Sequence, residues 1–78
     1  MIEVFKTNVD NAQDAGRLID FIHQRFVHYS ANFDLQDCDN ILRIESCNGE
    51  VHIPSVISLL SRYGFAAEVL PDDISVRK

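Results

Sequence analysis

Two hydrophobic periods alternate along this short chain and limit the folds that it can adopt. Four segments alternate apolar with polar residues, as half-buried strands do, and two longer segments repeat apolar residues every three to four positions, as amphipathic helices do. Their order is strand, helix, strand, strand, helix, strand. Because a domain of 78 residues buries only about 60% of the surface that its unfolded chain exposes, most large apolar residues must serve one core.

A polar turn, Lys6 to Asn11, separates the first predicted strand, residues 2–6, from the first helix. Asp10 has the capping-box spacing to a later glutamine, and Asn8 and Asn11 are alternative N-caps. The helix carries one apolar stripe, which we expect to face the core. Its members are Ala12, Ala15, Leu18, Ile19, Ile22 and Phe26.

Turn residues divide the second half of the chain in the same way. Residues 31–37 and 41–46 are predicted to form a hairpin whose turn tolerates a left-handed residue. Pro54 suits the first turn of a second helix, where its missing amide has no intrahelical partner. Gly64 ends that helix, and the last strand is predicted over residues 66–70. The apolar stripe of the second helix consists of Ile53, Val56, Ile57, Leu60 and Tyr63.

These segments predict an α+β fold, a ferredoxin-like βαββαβ sandwich in which a four-stranded antiparallel sheet carries both helices on one face. The single domain spans residues 1–70, and residues 71–78 are predicted to form a flexible tail. The uncovered face of the sheet is expected to serve self-association or the docking of a protein partner. The residues expected there are Phe5, Ile41, Arg43 and Leu70.

The charge balance argues against several classes of partner. The net charge is −5 and the basic residues are scattered, so we expect no binding to nucleic acid or to a membrane surface. No apolar run approaches the roughly 20 residues of a spanning helix, and the first residues lack a signal-peptide pattern. We therefore expect a small acidic protein of the cytoplasm, with Cys38 and Cys47 as reduced thiols too far apart in the hairpin to be bridged.

Residues 2 to 70 of the chain resemble the heavy-metal-associated domain family, to which copper chaperones and metal-ATPase modules belong. In that family the opening strand runs into a Met-x-Cys-x-x-Cys turn, and Lys6, Asn8 and Asn11 fall on the methionine and the two cysteines. Residues 61–70, Ser-Arg-Tyr-Gly-Phe-Ala-Ala-Glu-Val-Leu, are similar to the exit of the family's second helix. Phe65 corresponds to the aromatic residue that shields the metal loop.

The metal-binding thiols of the family are replaced in this chain. Two cysteines at that spacing hold Cu(I) as thiolates, whereas asparagine is uncharged and its amide oxygen is a hard, weak ligand. Lys6 in place of the methionine would repel a metal ion. We therefore predict a non-catalytic domain that has no cofactor and has lost the metal site, and that interacts with a protein partner or with itself.

Two alternatives remain open. A metal carrier or sensor would use ligands outside the usual loop, namely His28, Cys47 and His52, which the topology could bring to one end of the sheet. A small-anion-binding module would use the helix amides and the positive charge of the turn. Its residues would be Lys6, Thr7, Asn8, Asn11 and Phe65. Since no Cys/His arrangement for nucleophilic catalysis can be placed on the sequence, we predict that the chain is not an enzyme.

Overall fold

The computed structural model describes residues 1–36 and 38–70 of the chain. Its elements are β1 (Ile2–Thr7), α1 (Ala12–Arg25), β2 (Tyr29–Asp34), β3 (Ile41–Ser46), α2 (Ile53–Arg62) and β4 (Ala67–Val69). The strands form one antiparallel sheet in the order β2-β3-β1-β4, with the helices packed on one face. The predicted ferredoxin-like α+β fold is confirmed. The predicted tail, residues 71–78, lies outside the described residues.

The apolar stripes of the two helices form the side of the core that lies opposite the sheet. Ala15, Leu18 and Ile22 of α1 are buried, as are three residues of α2, Val56, Leu59 and Leu60. Leu59 was absent from the predicted stripe, whereas Tyr63 lies at its edge, 45% exposed, and stacks on Phe21 with ring centroids 4.3 Å apart. The two helices therefore turn toward the core the faces that their periodicity predicts. In α2 the buried face also includes Leu59.

Local hydrogen bonds explain where the elements end. The amide of Gln36 donates to Oδ1 of Asp34 (3.2 Å), an Asx turn that stops β2 before residue 37. Asn40 adopts the predicted left-handed conformation (φ 47°). Gly64 (φ 88°) ends α2 in a Schellman motif, in which the amide of Phe65 donates to the carbonyl of Leu60 (2.9 Å).

One expectation about β1 is wrong, namely that Phe5 lies on the uncovered face. Phe5 is fully buried in the core and pairs with Leu42 on β3 and Val69 on β4. Because successive residues of a strand point to opposite faces, this register turns Ile2 and Val4 away from the helices. The strand is apolar on both faces, and the bulky aromatic ring takes the side that the helices cover.

We call the sheet surface away from the helices the open face. By register it includes Ile2, Val4 and Lys6 of β1 and Arg43 and Glu45 of β3, with Leu70 beside Val4, to whose carbonyl its amide donates (2.8 Å). Ile41 also belongs to this face by register, but it is only 7% exposed. Of the four residues expected on this surface, Arg43 and Leu70 lie there accessibly, Ile41 is nearly buried, and Phe5 is absent.

Candidate functional site

The turn between β1 and α1 is anchored by Thr7, which is 8% exposed. Its hydroxyl donates to the carbonyl of Asn40 (2.6 Å) and accepts from the amide of Val9 (3.2 Å). Its own amide donates to the carbonyl of Asp39 (3.2 Å). Thr7 therefore fastens the loop between β2 and β3 to the end of β1, and its hydroxyl is committed to that task.

The two asparagines of the turn also bond within the protein. Asn11 is the N-cap of α1, since its Oδ1 accepts from the amide of Asp14 (2.8 Å), and its Nδ2 donates to the carboxylates of Asp14 (2.9 Å) and Asp10 (3.3 Å). Asn8 caps nothing. Its Oδ1 accepts from the amide of Ala66 (2.9 Å) and its amide donates to the carbonyl of Ala66 (3.3 Å), which joins the turn to the start of β4.

The charges around this turn do not favour an anion. Nζ of Lys6 lies 3.9 Å from Oδ1 of Asp39, both side chains being about half exposed (53% and 42%), and Asp10 and Asp14 stand at the helix start. A surface depression of about 320 Å³ beside the turn is lined by Lys6, Thr7 and Asn8 together with Ala66, Ala67 and Glu68. Phe65 lies outside it and lines a cavity between the helices with Phe21 and Tyr63.

The three candidate metal ligands outside the turn, His28, Cys47 and His52, lie near one end of the sheet. The amide of Cys47 donates to the carbonyl of His28 (3.0 Å), and the amide of His52 donates to Oη of Tyr29 (2.6 Å), one residue beyond His28. Cys47, like Cys38, is an exposed free thiol. Within residues 1–36 and 38–70, however, no three His, Cys, Asp or Glu side chains are grouped to hold a metal ion.

A second candidate site, which the sequence did not predict, lies between the end of α1 and the outer side of α2. This cavity of about 120 Å³, which we call the Arg25–Arg62 cleft, is lined by Arg25, Phe26, Ser55, Ser58, Leu59 and Arg62. The spacing of Ser55, Ser58 and Arg62, three and then four residues apart, places them on one side of α2. That half of the cleft could be seen in the sequence, but its pairing with Arg25 depends on the fold.

Aromatic contacts position the cleft. Phe26, which forms part of its wall, stacks on Tyr29 with ring centroids 4.8 Å apart, and Oη of Tyr29 accepts from the amide of His52 at the start of α2. The guanidinium carbon of Arg25 lies 5.9 Å from the ring centroid of Phe26. These contacts hold the end of α1 close to the start of α2, beside the cleft.

One side-chain pair at the cleft has the composition of a catalytic dyad. Nδ1 of His52 lies 2.6 Å from Oγ of Ser55. A nucleophilic serine also needs a group that orients the other ring nitrogen of its histidine, and the part of the chain that the structure describes places no such partner on Nε2. Within the described residues, the pair forms a contact across the first turn of α2.

Fold and site define the class of protein as a ferredoxin-like α+β domain with an uncovered sheet face and a basic cleft between its helices. Comparison of the chain with protein-family models, curated proteins and solved structures finds no match. The resemblance to heavy-metal-associated domains therefore stays a prediction. Among the described residues, neither helix has the length and apolar character required to cross a membrane.

Proposed function

We propose that this chain is a non-catalytic protein-interaction domain that pairs with a second copy of itself through the open face. The observation that carries the proposal is an aliphatic patch made of Ile2, Val4 and Leu70. Leu70, one residue beyond the end of β4, lies beside Val4 of β1. Ile2, two residues before Val4 on the same face of β1, is 51% exposed. A neighbouring group of aliphatic side chains on an otherwise charged surface is typical of an interaction site.

The charges around the patch favour a second copy as the partner. Arg43 lies opposite Val4, Glu45 lies opposite Ile2, and Lys6 pairs across the ladder with Glu68. A surface that carries both signs allows the cations of one copy to meet the carboxylates of the other. Outside the open face, two copies that each carry a net charge of −5 would repel each other.

The resemblance to heavy-metal-associated domains supports a role in binding without chemistry. The scaffold has the element order of that family, while asparagines stand at both thiol positions and bond within the protein. We further propose a cytoplasmic location, which the two exposed free thiols support, because exposed thiols persist in reducing compartments. In this proposal the domain acts by binding a partner through its surface and not by metal transfer or catalysis.

Sedimentation velocity over a range of protein concentrations tests the pairing. We expect a concentration-dependent dimer that Ile2→Lys dissociates, because the lysine charge would have to be desolvated in the apolar patch. Ile2 lies opposite Glu45, so the new lysine gains a cross-strand partner and the sheet itself should keep its stability.

Val27→Lys is the matched control. Val27 is 77% exposed but lies in the loop between α1 and β2, away from the open face. This variant should sediment as the unchanged chain does. A monomer at every concentration, or equal weakening by both substitutions, would reject the open face as a pairing surface.

A further inference from the structure

We propose that the Arg25–Arg62 cleft binds a phosphate group, either inorganic phosphate or the phosphate of a small monoester. The lining of the cleft includes four residues whose side chains carry hydrogen-bond donors, Arg25 from α1 and Ser55, Ser58 and Arg62 from α2. Guanidinium groups form paired, charge-assisted hydrogen bonds with phosphate oxygens. This surface is distinct from the open face, so the inference is independent of the pairing proposed above.

The charges of the cleft are unusual for this chain. Its lining contains two arginines and no carboxylate, although the chain as a whole has a net charge of −5. Among the described residues, neither guanidinium forms an ion pair, the one such pair being that of Lys6 with Asp39. Two like charges that share a cavity repel each other, and an anion between them would remove that repulsion.

The size and shape of the cleft favour a tetrahedral group. A volume of about 120 Å³ is several times the roughly 30 Å³ that a water molecule occupies in the liquid, and it is below the roughly 300 Å³ at which pockets for drug-sized ligands begin. A phosphate presents four oxygens as acceptors, which matches the four donor-bearing side chains that line the cleft. A carboxylate offers two oxygens in one plane and leaves part of this donor set without an acceptor.

The contact between Ser55 and His52 predicts a signature of binding. Their 2.6 Å contact allows the serine to donate to Nδ1 or Nδ1–H to donate to the serine. When the hydroxyl of Ser55 donates its hydrogen bond to a phosphate oxygen, the contact with His52 is kept only if Nδ1–H donates to Oγ of Ser55. Phosphate should therefore select the form of His52 that is protonated at Nδ1.

Titration with sodium phosphate, followed by NMR at constant ionic strength in a phosphate-free buffer, tests the site. We expect saturable shifts of the amides of α2 from Ser55 to Arg62, together with a change of the His52 ring nitrogens toward Nδ1–H. Arg62→Gln should weaken binding about tenfold or more, as the loss of a charge-assisted hydrogen bond predicts, and Arg62→Lys should weaken it less. Phenyl phosphate binding more tightly than inorganic phosphate would identify a monoester as the source, and equal binding would identify the free ion.

Arg43→Gln is the matched control, because it removes the same charge from the open face and should change the affinity less than twofold. The proposal would be overturned by an equal loss of affinity in Arg43→Gln, by acetate binding as tightly as phosphate, or by the absence of saturable shifts in α2. Shifts centred on the turn from Lys6 to Asn11 would also overturn it, and would move the anion site to that turn. Circular dichroism of each variant establishes that it is folded.

Discussion

The β1–α1 turn and the Arg25–Arg62 cleft are both polar, but they differ in where their hydrogen-bonding groups are used. In the turn, Thr7, Asn8 and Asn11 each bond to backbone groups of the same chain, and Lys6 faces a carboxylate. In the cleft, the described residues supply no carboxylate partner to either arginine. The polar groups of the turn are used in hydrogen bonds within the fold, whereas the two arginines of the cleft have no carboxylate partner among the described residues.

The largest effect is expected from placing cysteines at Asn8 and Asn11, the two positions that fall on the thiols of heavy-metal-associated domains. Asn8→Cys with Asn11→Cys should bind one Cu(I) ion, because two thiolates beside a helix amino terminus form a soft two-coordinate site. Native mass spectrometry of the reduced protein measures the adduct. Both positions precede α1: Asn11 is its N-cap, and Asn8 lies three residues earlier in the turn.

The single substitutions and the unchanged chain are the controls for that experiment. Because each of them retains Cys38 and Cys47, they measure any Cu(I) that these two thiols bind. None of them should give a stoichiometric adduct. If the double variant binds no more Cu(I) than the unchanged chain, the turn lacks the geometry of a metal loop, and the resemblance extends to the scaffold alone.

Thr7→Val should have the largest effect on stability. The substitution keeps the shape of the side chain but removes the hydroxyl, which leaves the buried amide of Val9 without its acceptor and the carbonyl of Asn40 without its donor. We expect a loss of about 1–3 kcal/mol in the free energy of unfolding, measured by urea denaturation. Thr7→Ser keeps both bonds and should cost only about 0.8 kcal/mol for the lost methyl group; the reverse ranking would show that Thr7 acts through packing.

Asn11→Ala should cost less, about 1 kcal/mol, which is the usual contribution of an N-cap side chain. The bond from the amide of Asp14 is exposed, so water can replace part of it. Urea denaturation measures the loss, and amide hydrogen exchange should show it concentrated in the first turn of α1. Asn11→Ser retains a capping oxygen and should be close to the unchanged chain. An alanine variant as stable as that control would mean that the cap contributes nothing measurable.

The fold could be predicted because each element carries its own signal. The stripes of α1 and α2, the glycine that ends α2 and the left-handed residue of the hairpin turn are local features, and the structure has all of them. The face of β1 could not be predicted in the same way, since Ile2, Val4 and Phe5 make both of its sides apolar. Only the covering helices decide that Phe5 points inward.

The candidate site was less accessible to sequence analysis. Arg25 and Ser55 lie thirty residues apart, and no period or motif connects the end of one helix to the side of the other. The stack of Phe26 on Tyr29, and the bond from the amide of His52 to Tyr29, bring the two segments together. Such contacts follow from tertiary packing, whereas the asparagines of the turn drew attention because their spacing resembles a known motif.

The smallest expected change in the free energy of unfolding is that of a variant without the two arginines of the cleft. This variant also tests directly the contrast between the cleft and the β1–α1 turn. Arg25 and Arg62 each stand in the last turn of a helix, where a cation contributes about 0.3–1 kcal/mol, and their mutual repulsion offsets part of that contribution. Without phosphate, Arg25→Gln with Arg62→Gln should therefore change the free energy of unfolding by less than about 1 kcal/mol. Arg17→Gln with Arg43→Gln removes two charges elsewhere and should behave similarly. A loss of about 2 kcal/mol or more that is confined to the cleft variant would mean that its guanidiniums, like the side chains of the turn, are occupied within the fold.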